Sequence, residues 1–271
     1  MRINQNIAAF NAYRNLSSTN VQLGKSLEKL SSGFRINRAA DDAAGLAKSE
    51  SLRAEIRGSR QAIRNAQDGV SFVQTAEGAL NEVHAILQRV RELAVDAANT
   101  ATTDGVAQQA EIDELLAEID EIGNNSTFAG QTVFSDYSAS GAGLNFHVGA
   151  NSGDQLTITQ DLSLTAAGLV GTIDVTDSAG AEAAITAVDG GIDSVSSTRA
   201  TLGATQNRLE HVVANLSVAV ENLSASESRV RDTDMAEEMV KFTRNQIMVQ
   251  AGTAMLAQAN QVPATVLSLL Q

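Results

Sequence analysis

Apolar and small residues recur along much of this chain in steps of three and four. From residue 52 they fall at Leu52, Ile56, Ile63, Ala66, Val70, Val73, Leu80, Val83, Leu87, Val90 and Ala94. Some positions are skipped, but the stripe predicts a coiled-coil-like helix. A helix over roughly residues 45–98 is about 75–80 Å long at 1.5 Å per residue. That is too long for a compact domain of 271 residues, so an elongated rod is expected. A second helix is marked by Ile112, Leu115, Ile119 and Ile122, with Thr103-Asp104 as its N-cap region and Gly123-Asn124 as its stop. A third is marked by Leu209, Val212, Leu216, Val220 and Leu223. Three such stripes suit an antiparallel bundle.

Between the second and third stripes the period changes. Leu144, Phe146 and Val148 alternate with other residues, as do Leu156 and Ile158, and Gly149 to Gly153 is turn-rich. Residues 131–160 therefore read as strands and hairpins. Residues 161–190 are rich in Ala, Gly, Thr, Asp and Ser, and a short, variable, exposed lobe or loop is expected there. No unit repeats at a fixed period, which argues against a solenoid.

The two ends carry a separate apolar pattern. Ile3, Ile7 and Phe10 lie at helical spacing, followed by Leu23, Leu27, Leu30 and Phe34. Met235, Met239, Phe242, Val249, Leu256, Val262, Val266 and Leu269 continue it at the other end. The 27 residues from Asn245 to Gln271 hold no charged side chain, whereas exposed helices normally carry Lys and Glu. A membrane span fits poorly, because Gln246, Gln250, Gln258, Asn260 and Gln261 interrupt the segment and each amide needs a partner in lipid. Two readings stay open: a buried core helix of a monomer, or an amphipathic helix that pairs with the N-terminal stripe and with neighbouring copies. Ala and Gln suit close helix packing with amide hydrogen bonds. Alone, both ends bury too little surface to stay ordered.

Composition narrows the function classes. Aromatic residues make up 3% of the chain, with no Trp and one Pro, which favours closely packed long helices over a thick core. No Cys is present, so disulfides, thiolate metal sites and thiol catalysis are excluded. The N-terminal MRINQNIAAF has no apolar run like that of a signal peptide, and no stretch of about 18 apolar residues suggests a transmembrane helix. The net charge of −13 is uneven: residues 1–65 hold 11 Lys+Arg against 5 Asp+Glu, and the remainder 8 against 27. Without a stacking motif beside the basic segment, nucleic acid is not the expected partner. The basic block reads either as a solvated helix face or as one of two charge blocks that complement one another within or between subunits.

Catalytic and metal chemistry find no constellation. His84, His147 and His211 are far apart in sequence and none lies in an HExxH pattern. Asp41-Asp42 and Asp232-Thr233-Asp234 lack EF-hand spacing and read as helix caps or flanks. Gly141-Ala142-Gly143 lacks the third Gly and the strand and helix of a dinucleotide site. No cofactor, metal or catalytic residue is assigned, and the chain is not expected to be an enzyme.

Several motifs in order resemble those of bacterial flagellin. They are Ser31-Ser32-Gly33-Phe34-Arg35-Ile36-Asn37, Asp41-Asp42-Ala43-Ala44-Gly45, Asn65-Ala66-Gln67-Asp68-Gly69, Glu77-Gly78-Ala79-Leu80-Asn81-Glu82 and Gln88-Arg89-Val90-Arg91-Glu92-Leu93-Ala94. Leu202-Gly203-Ala204, Gln206-Asn207-Arg208 and the run from Gln250 to Leu270 resemble the flagellin C-terminus. The resemblance covers about residues 1–160 and 190–271.

It implies a mainly α fold. Long antiparallel helices would form a rod over residues 45–231 with a small β-hairpin region, and residues 1–44 and 232–271 would pair as a coaxial coiled coil, the inner layer of a filament. Large outer domains look absent, because only the short 161–190 segment stands in their place. The implied function is that of a structural subunit that polymerises into the extracellular flagellar filament for motility. Export would proceed unfolded through the flagellar type III apparatus, without signal cleavage. Implied partners are other copies of the chain, an export chaperone, filament cap and junction proteins, and the animal flagellin-sensing Toll-like receptor, whose matching contact positions are Arg89, Leu93 and Glu111. The assembly residues assigned are Ile3, Ile7, Phe10, Leu27, Leu30, Phe34, Met239, Phe242, Val249, Leu256, Val262, Val266 and Leu269. A hook–filament junction protein and a secreted binding protein or enzyme are the alternatives.

Overall fold

The computed structural model describes residues 6–99, 105–134, 144–158 and 164–268, with side chains described as far as residue 261. In chain order the elements are α1 (Ile7–Ser32), α2 (Ala43–Ala97), α3 (Val106–Asn125), β1 (Thr127–Phe128), β2 (Gln131–Thr132), β3 (Leu144–His147), β4 (Gln155–Ile158), α4 (Ala166–Leu169), α5 (Ser178–Arg231) and α6 (Met235–Ser268). They group into two compact units, one of Met1–Ala54 with Asn222–Gln271 and the other of Glu55–Glu221. Helices α2 and α5 contribute to both.

The central unit is built on heptad seams. Along α2, Ala62, Ala66, Val73, Ala76, Leu80, Val83, Leu87, Val90, Ala94 and Ala97 are buried, in the alternating three- and four-residue steps that put one stripe of a helix against its neighbours. Helix α3 adds Ile112 and Ile119 to the same core, and α5 adds Val188, Val195 and Leu202. Polar contacts fix the direction of α3. Gln108 Nε2 donates to Asp96 at 2.8 Å and Arg89 pairs with Glu111 at 2.8 Å, so α3 folds back antiparallel along α2. Arg91 pairs with Asp189 at 2.6 Å and Arg199 with Glu77 at 3.7 Å, tying α2 to α5.

The β3–β4 hairpin appears where alternation predicts it, while the β1–β2 hairpin begins at Thr127, before the 131–160 stretch read as strands. Strands β1 and β2 pair antiparallel across Ala129-Gly130, both at positive φ, as a two-residue hairpin turn requires. Strands β3 and β4 pair from Leu144↔Ile158 to His147↔Gln155. Phe146 sits beside Gly69 of α2, where a Cβ would come within 3.1 Å of its ring.

Residues 164–190 differ from the expected exposed lobe. Leu164, Ala166, Val170, Ile173 and Val175 are buried, as are Ala181, Ala184 and Val188. Helix α5 begins at Ser178, not near Leu209, and its buried positions Ala181, Ala184, Val188, Gly191, Val195, Thr198, Leu202, Thr205 and Leu209 keep one heptad register throughout. The small residues that suggested a loop are the contact face of a closely packed helix. The segment before it is strapped down: Gln109 donates to the Ile173 carbonyl at 3.1 Å and accepts from the Val175 amide at 2.8 Å, while Asp120 accepts from the Ala166 amide at 2.7 Å. A Cβ at Gly123 would overlap the Leu164 carbonyl oxygen, so that approach requires glycine. Helix α3 ends at Asn125, one residue beyond the Gly123-Asn124 stop read from the sequence, and Gly123 itself is helical. Thr103-Asp104 lie outside the described residues, and α3 is preceded by Gly105 in the left-handed region at φ 72°.

Candidate self-association surface

The terminal unit is organised by the pairing of α1 with α6. Asn6 caps α1 by accepting from the Ala9 amide at 3.0 Å, and its Nδ2 donates to the Ala259 carbonyl at 2.7 Å. Gly33 ends α1 in the left-handed conformation, its amide donating to the Lys29 carbonyl. Asp42 accepts from the Gly45 amide at 2.9 Å at the start of α2. Asp234 accepts from the Ala236 and Glu237 amides at 2.9 and 3.1 Å at the start of α6. Both aspartates are thus helix caps. Asp41 closes the turn before α2. Donation from the Arg38 amide, helped by that of Asn37, holds its carboxyl below the usual carboxylate range.

The links between the two helical arms are specific. The Arg35 amide donates to the Arg231 carbonyl at 2.6 Å and the Thr233 amide to the Gly33 carbonyl at 3.0 Å, with Phe34 bridging Asp232 antiparallel. The Phe34 ring lies 4.9 Å from the Arg231 guanidinium carbon and 5.6 Å from that of Arg53, within cation–π range. Arg231 also pairs with Glu50 at 2.7 Å, and Arg53 with Glu227 at 3.2 Å.

These contacts place α1 and α6 antiparallel in one register. A Cβ at Gly252 would meet the Leu16 side chain at 3.1 Å. The less exposed positions of each helix form a heptad stripe: Ala12, Leu16, Thr19, Leu23, Ser26 and Leu30 on α1, and Glu238, Phe242, Asn245, Val249, Gly252 and Leu256 on α6. Thr19, Ser26 and Glu238 are buried, and the large apolar members of both stripes are half-buried.

The other faces of the same helices are apolar and open. On α1, Ile7 and Phe10 are 67% and 69% exposed, and Tyr13 and Val21 are exposed with them; on α6, Val240, Ile247, Met248 and Met255 are likewise in water. An apolar groove of about 330 Å³, lined by Asn6, Ala9, Phe10, Tyr13 and Leu256, opens between the two helices. Exposed apolar surface on this scale is the mark of a docking face.

Of the assembly positions assigned by sequence, Ile7, Phe10, Leu27 and Met239 are exposed. Leu30, Phe34, Phe242, Val249 and Leu256 are half-buried. Ile3 and Leu269 lie outside the described residues, as do the side chains of Val262 and Val266. Leu16, Thr19 and Ser26 escaped the sequence reading because two of the three are polar. The signal available was the seven-residue interval of Leu16, Leu23 and Leu30. In the central unit, Arg89 and Glu111 stand side by side and half-exposed, with Glu92 3.4 Å from Arg89. The hydrogen bonds that the Arg89 guanidinium donates to the Glu111 carboxylate raise the Arg89 pKa. Leu93 is buried in the helical core.

No group of three or more His, Cys, Asp or Glu among the described residues is placed to hold a metal ion. No helix among them is long and apolar enough to cross a membrane.

Comparison with known proteins agrees with the motifs. The bacterial flagellin N-terminal helical region matches residues 3–139 and the C-terminal helical region residues 185–270. The flagellin of Halalkalibacterium halodurans is 51% identical and that of Bacillus subtilis 49%, each aligned over 100% of both chains. A flagellar filament 33 kDa core protein of Treponema phagedenis is 48% identical, again over 100% of both chains. With both terminal regions matched in order and relatives aligned along its whole length, this chain belongs to the bacterial flagellins.

Proposed function

We propose that this flagellin is a structural subunit of the bacterial flagellar filament and works by polymerising with copies of itself. The observation that carries the reading is the open apolar face of α1 and α6, with Phe10 69% and Val240 63% exposed. One chain cannot cover that face, and a lattice of identical chains covers it on every member. Its full-length relatives, one of them named as a filament core protein, support the same role. The role is mechanical and not catalytic, and its place is an extracellular appendage.

In this reading residues 1–44 and 232–271 form the inner layer of the filament and 45–231 its outer layer. Export runs without a cleaved signal peptide. An export chaperone shields the uncharged α6 face before assembly, and cap and junction proteins meet the ends of the polymer. Removing residues 245–271 leaves a folded central unit that does not polymerise. Sedimentation and electron microscopy of the truncated chain check this, and normal filaments from it would overturn the role given to α6.

The Toll-like receptor reading rests on the flagellin resemblance, whose contact positions include Arg89 and Glu111, here paired 2.8 Å apart and half-exposed. Leu93 lies one helical turn from Arg89 and is buried, so its share is to seat that turn against the core. Arg89→Ala and Glu111→Ala each weaken receptor signalling in reporter cells while leaving the helical content unchanged. Full signalling by both variants would remove these residues from the contact.

A further inference from the structure

The central unit holds seven arginines against 23 carboxylates and has no lysine. Arg89, Arg91 and Arg199 are each paired to a carboxylate within their own chain. Arg57, Arg60 and Arg64, like Arg208, are not, and the first three lie close together on α2. All three are exposed, and no carboxylate pairs with them among the described residues. Their spacing of three and then four puts them on one face of α2. That face lies away from the hairpin, which meets α2 at Gly58 and Gly69 and accepts a hydrogen bond from Asn65 at the His147 carbonyl.

Helix α3 carries the complementary pattern. It has six carboxylates and no basic residue. Glu114, Glu118 and Glu121 are exposed on one face at a spacing of four and then three, the reverse order of the arginines. None of these three is ion-paired among the described residues. Each stripe spans about 10 Å at 1.5 Å per residue.

The stripes cannot meet within one chain. Arg89 lies against Glu111 and Asp96 against Gln108, which sets Glu118 level with α2 more than twenty residues beyond Arg60. That is roughly 30 Å or more along the helix. Because α3 runs antiparallel to α2, a second copy pointing the same way presents its α3 antiparallel to this α2, and the reversed spacings then coincide.

We propose that the Arg57–Arg60–Arg64 stripe of α2 docks on the Glu114–Glu118–Glu121 stripe of α3 in the next copy of the chain, pairing Arg64 with Glu114, Arg60 with Glu118 and Arg57 with Glu121. This rests on the filament reading and deepens it. Two different patches of one chain make a heterologous contact, which propagates into an open polymer instead of closing a dimer. The arrangement also sets the direction and axial offset of neighbours, because a slip of one turn on either helix places an arginine against an uncharged residue or a carboxylate against an arginine-free surface.

Charge reversal tests it on the full chain. Arg60→Glu and Glu118→Arg, each alone, raise the critical concentration for polymerisation about tenfold or more through lost attraction and new repulsion. The double variant returns it to within about threefold of the parent chain. Thermal melting by circular dichroism establishes that each variant is folded. As an independent measurement, Arg60→Cys with Glu118→Cys in this cysteine-free chain gives an intermolecular disulfide ladder on mild oxidation of polymer and none in dilute monomer. Single reversals that polymerise like the parent, a double variant no better than the worse single one, or the absence of a ladder overturns the pairing. Those results leave the filament reading intact. That reading fails separately if the parent chain itself does not polymerise.

Discussion

Gly252 is the position at which the terminal pairing is most exposed to a single change. A Cβ there lies 3.1 Å from Leu16 Cδ1, 3.6 Å from Leu16 Cβ and 3.9 Å from Leu16 Cα. Gly252→Ala gains about 0.8–1 kcal/mol of helix propensity. The Cδ1 contact then requires the Leu16 tip to yield by a few tenths of an ångström, so the net change is small. Gly252→Leu adds three further carbons against a backbone that is already near, and overpacking of that kind costs about 1–3 kcal/mol. Leu16→Ala alone loses part of the burial of a half-buried leucine, about 1–2 kcal/mol. The double variant Leu16→Ala/Gly252→Leu exchanges knob and hole within one layer and recovers most of both losses, a coupling that a double-mutant cycle measures. The assays are amide-exchange protection across residues 10–25 and the critical concentration for polymerisation. If Gly252→Leu matches the parent chain in both, or the double variant is additive, α1 and α6 do not pack in this register.

Three further outcomes follow from the geometry. Val188→Asp buries an unpaired carboxylate where the parent valine has no exposed surface and lowers stability by about 3 kcal/mol or more; a melting temperature unchanged from the parent would return this stretch to a surface loop. The Arg38 amide donates to ionised Asp41 and holds its pKa below that of an ordinary aspartate, so its contribution is present above the unfolded pKa and fades as pH falls through the folded one. An NMR midpoint no lower than that of an unstructured aspartate would refute the turn. In the free chain, amides of α1 and of α6 exchange faster than those of α2 between Val73 and Val90, and equal protection in both units would contradict the sparse packing of the ends.

What could be read in advance depended on which side chains do the packing. The α2 seam was legible because Val73, Leu80, Val83, Leu87 and Val90 are large and apolar and recur in heptad register, broken only by the small Ala76. The strand pair β3–β4 was legible from the alternation of Leu144 and Phe146 and of Leu156 and Ile158 about a glycine-rich turn. The first half of α5 was not, although it has the same heptad period, because its contact positions include Ala181, Ala184, Gly191, Thr198 and Thr205. A search for large apolar residues passes over such a helix, and its composition imitates a loop. The α1 seam failed in the same way at Thr19 and Ser26. The stripe of Ile7 and Phe10, by contrast, stood out in the sequence because it is large and apolar at helical spacing, and both side chains are exposed.

The small and polar residues in the α1–α6 seam fit the proposal that this unit is completed by neighbouring copies. The buried positions between the two helices include Thr19, Ser26 and Glu238, residues that contribute little apolar burial, while Leu16, Leu23, Leu30, Phe242, Val249 and Leu256 are only half-buried. The seam therefore supplies less apolar burial than one of fully buried large side chains, while ordering each residue of the two helices still costs about 1–2 kcal/mol of backbone entropy. Ile7, Phe10, Val21, Val240, Ile247, Met248 and Met255 each keep more than half of their surface in water. Covering them with neighbouring copies supplies the apolar burial that the seam lacks. Order in the ends and contact between chains are therefore linked free energies: a chain with a richer seam would be ordered alone, and one without the outer apolar faces would have nothing to gain from its neighbours.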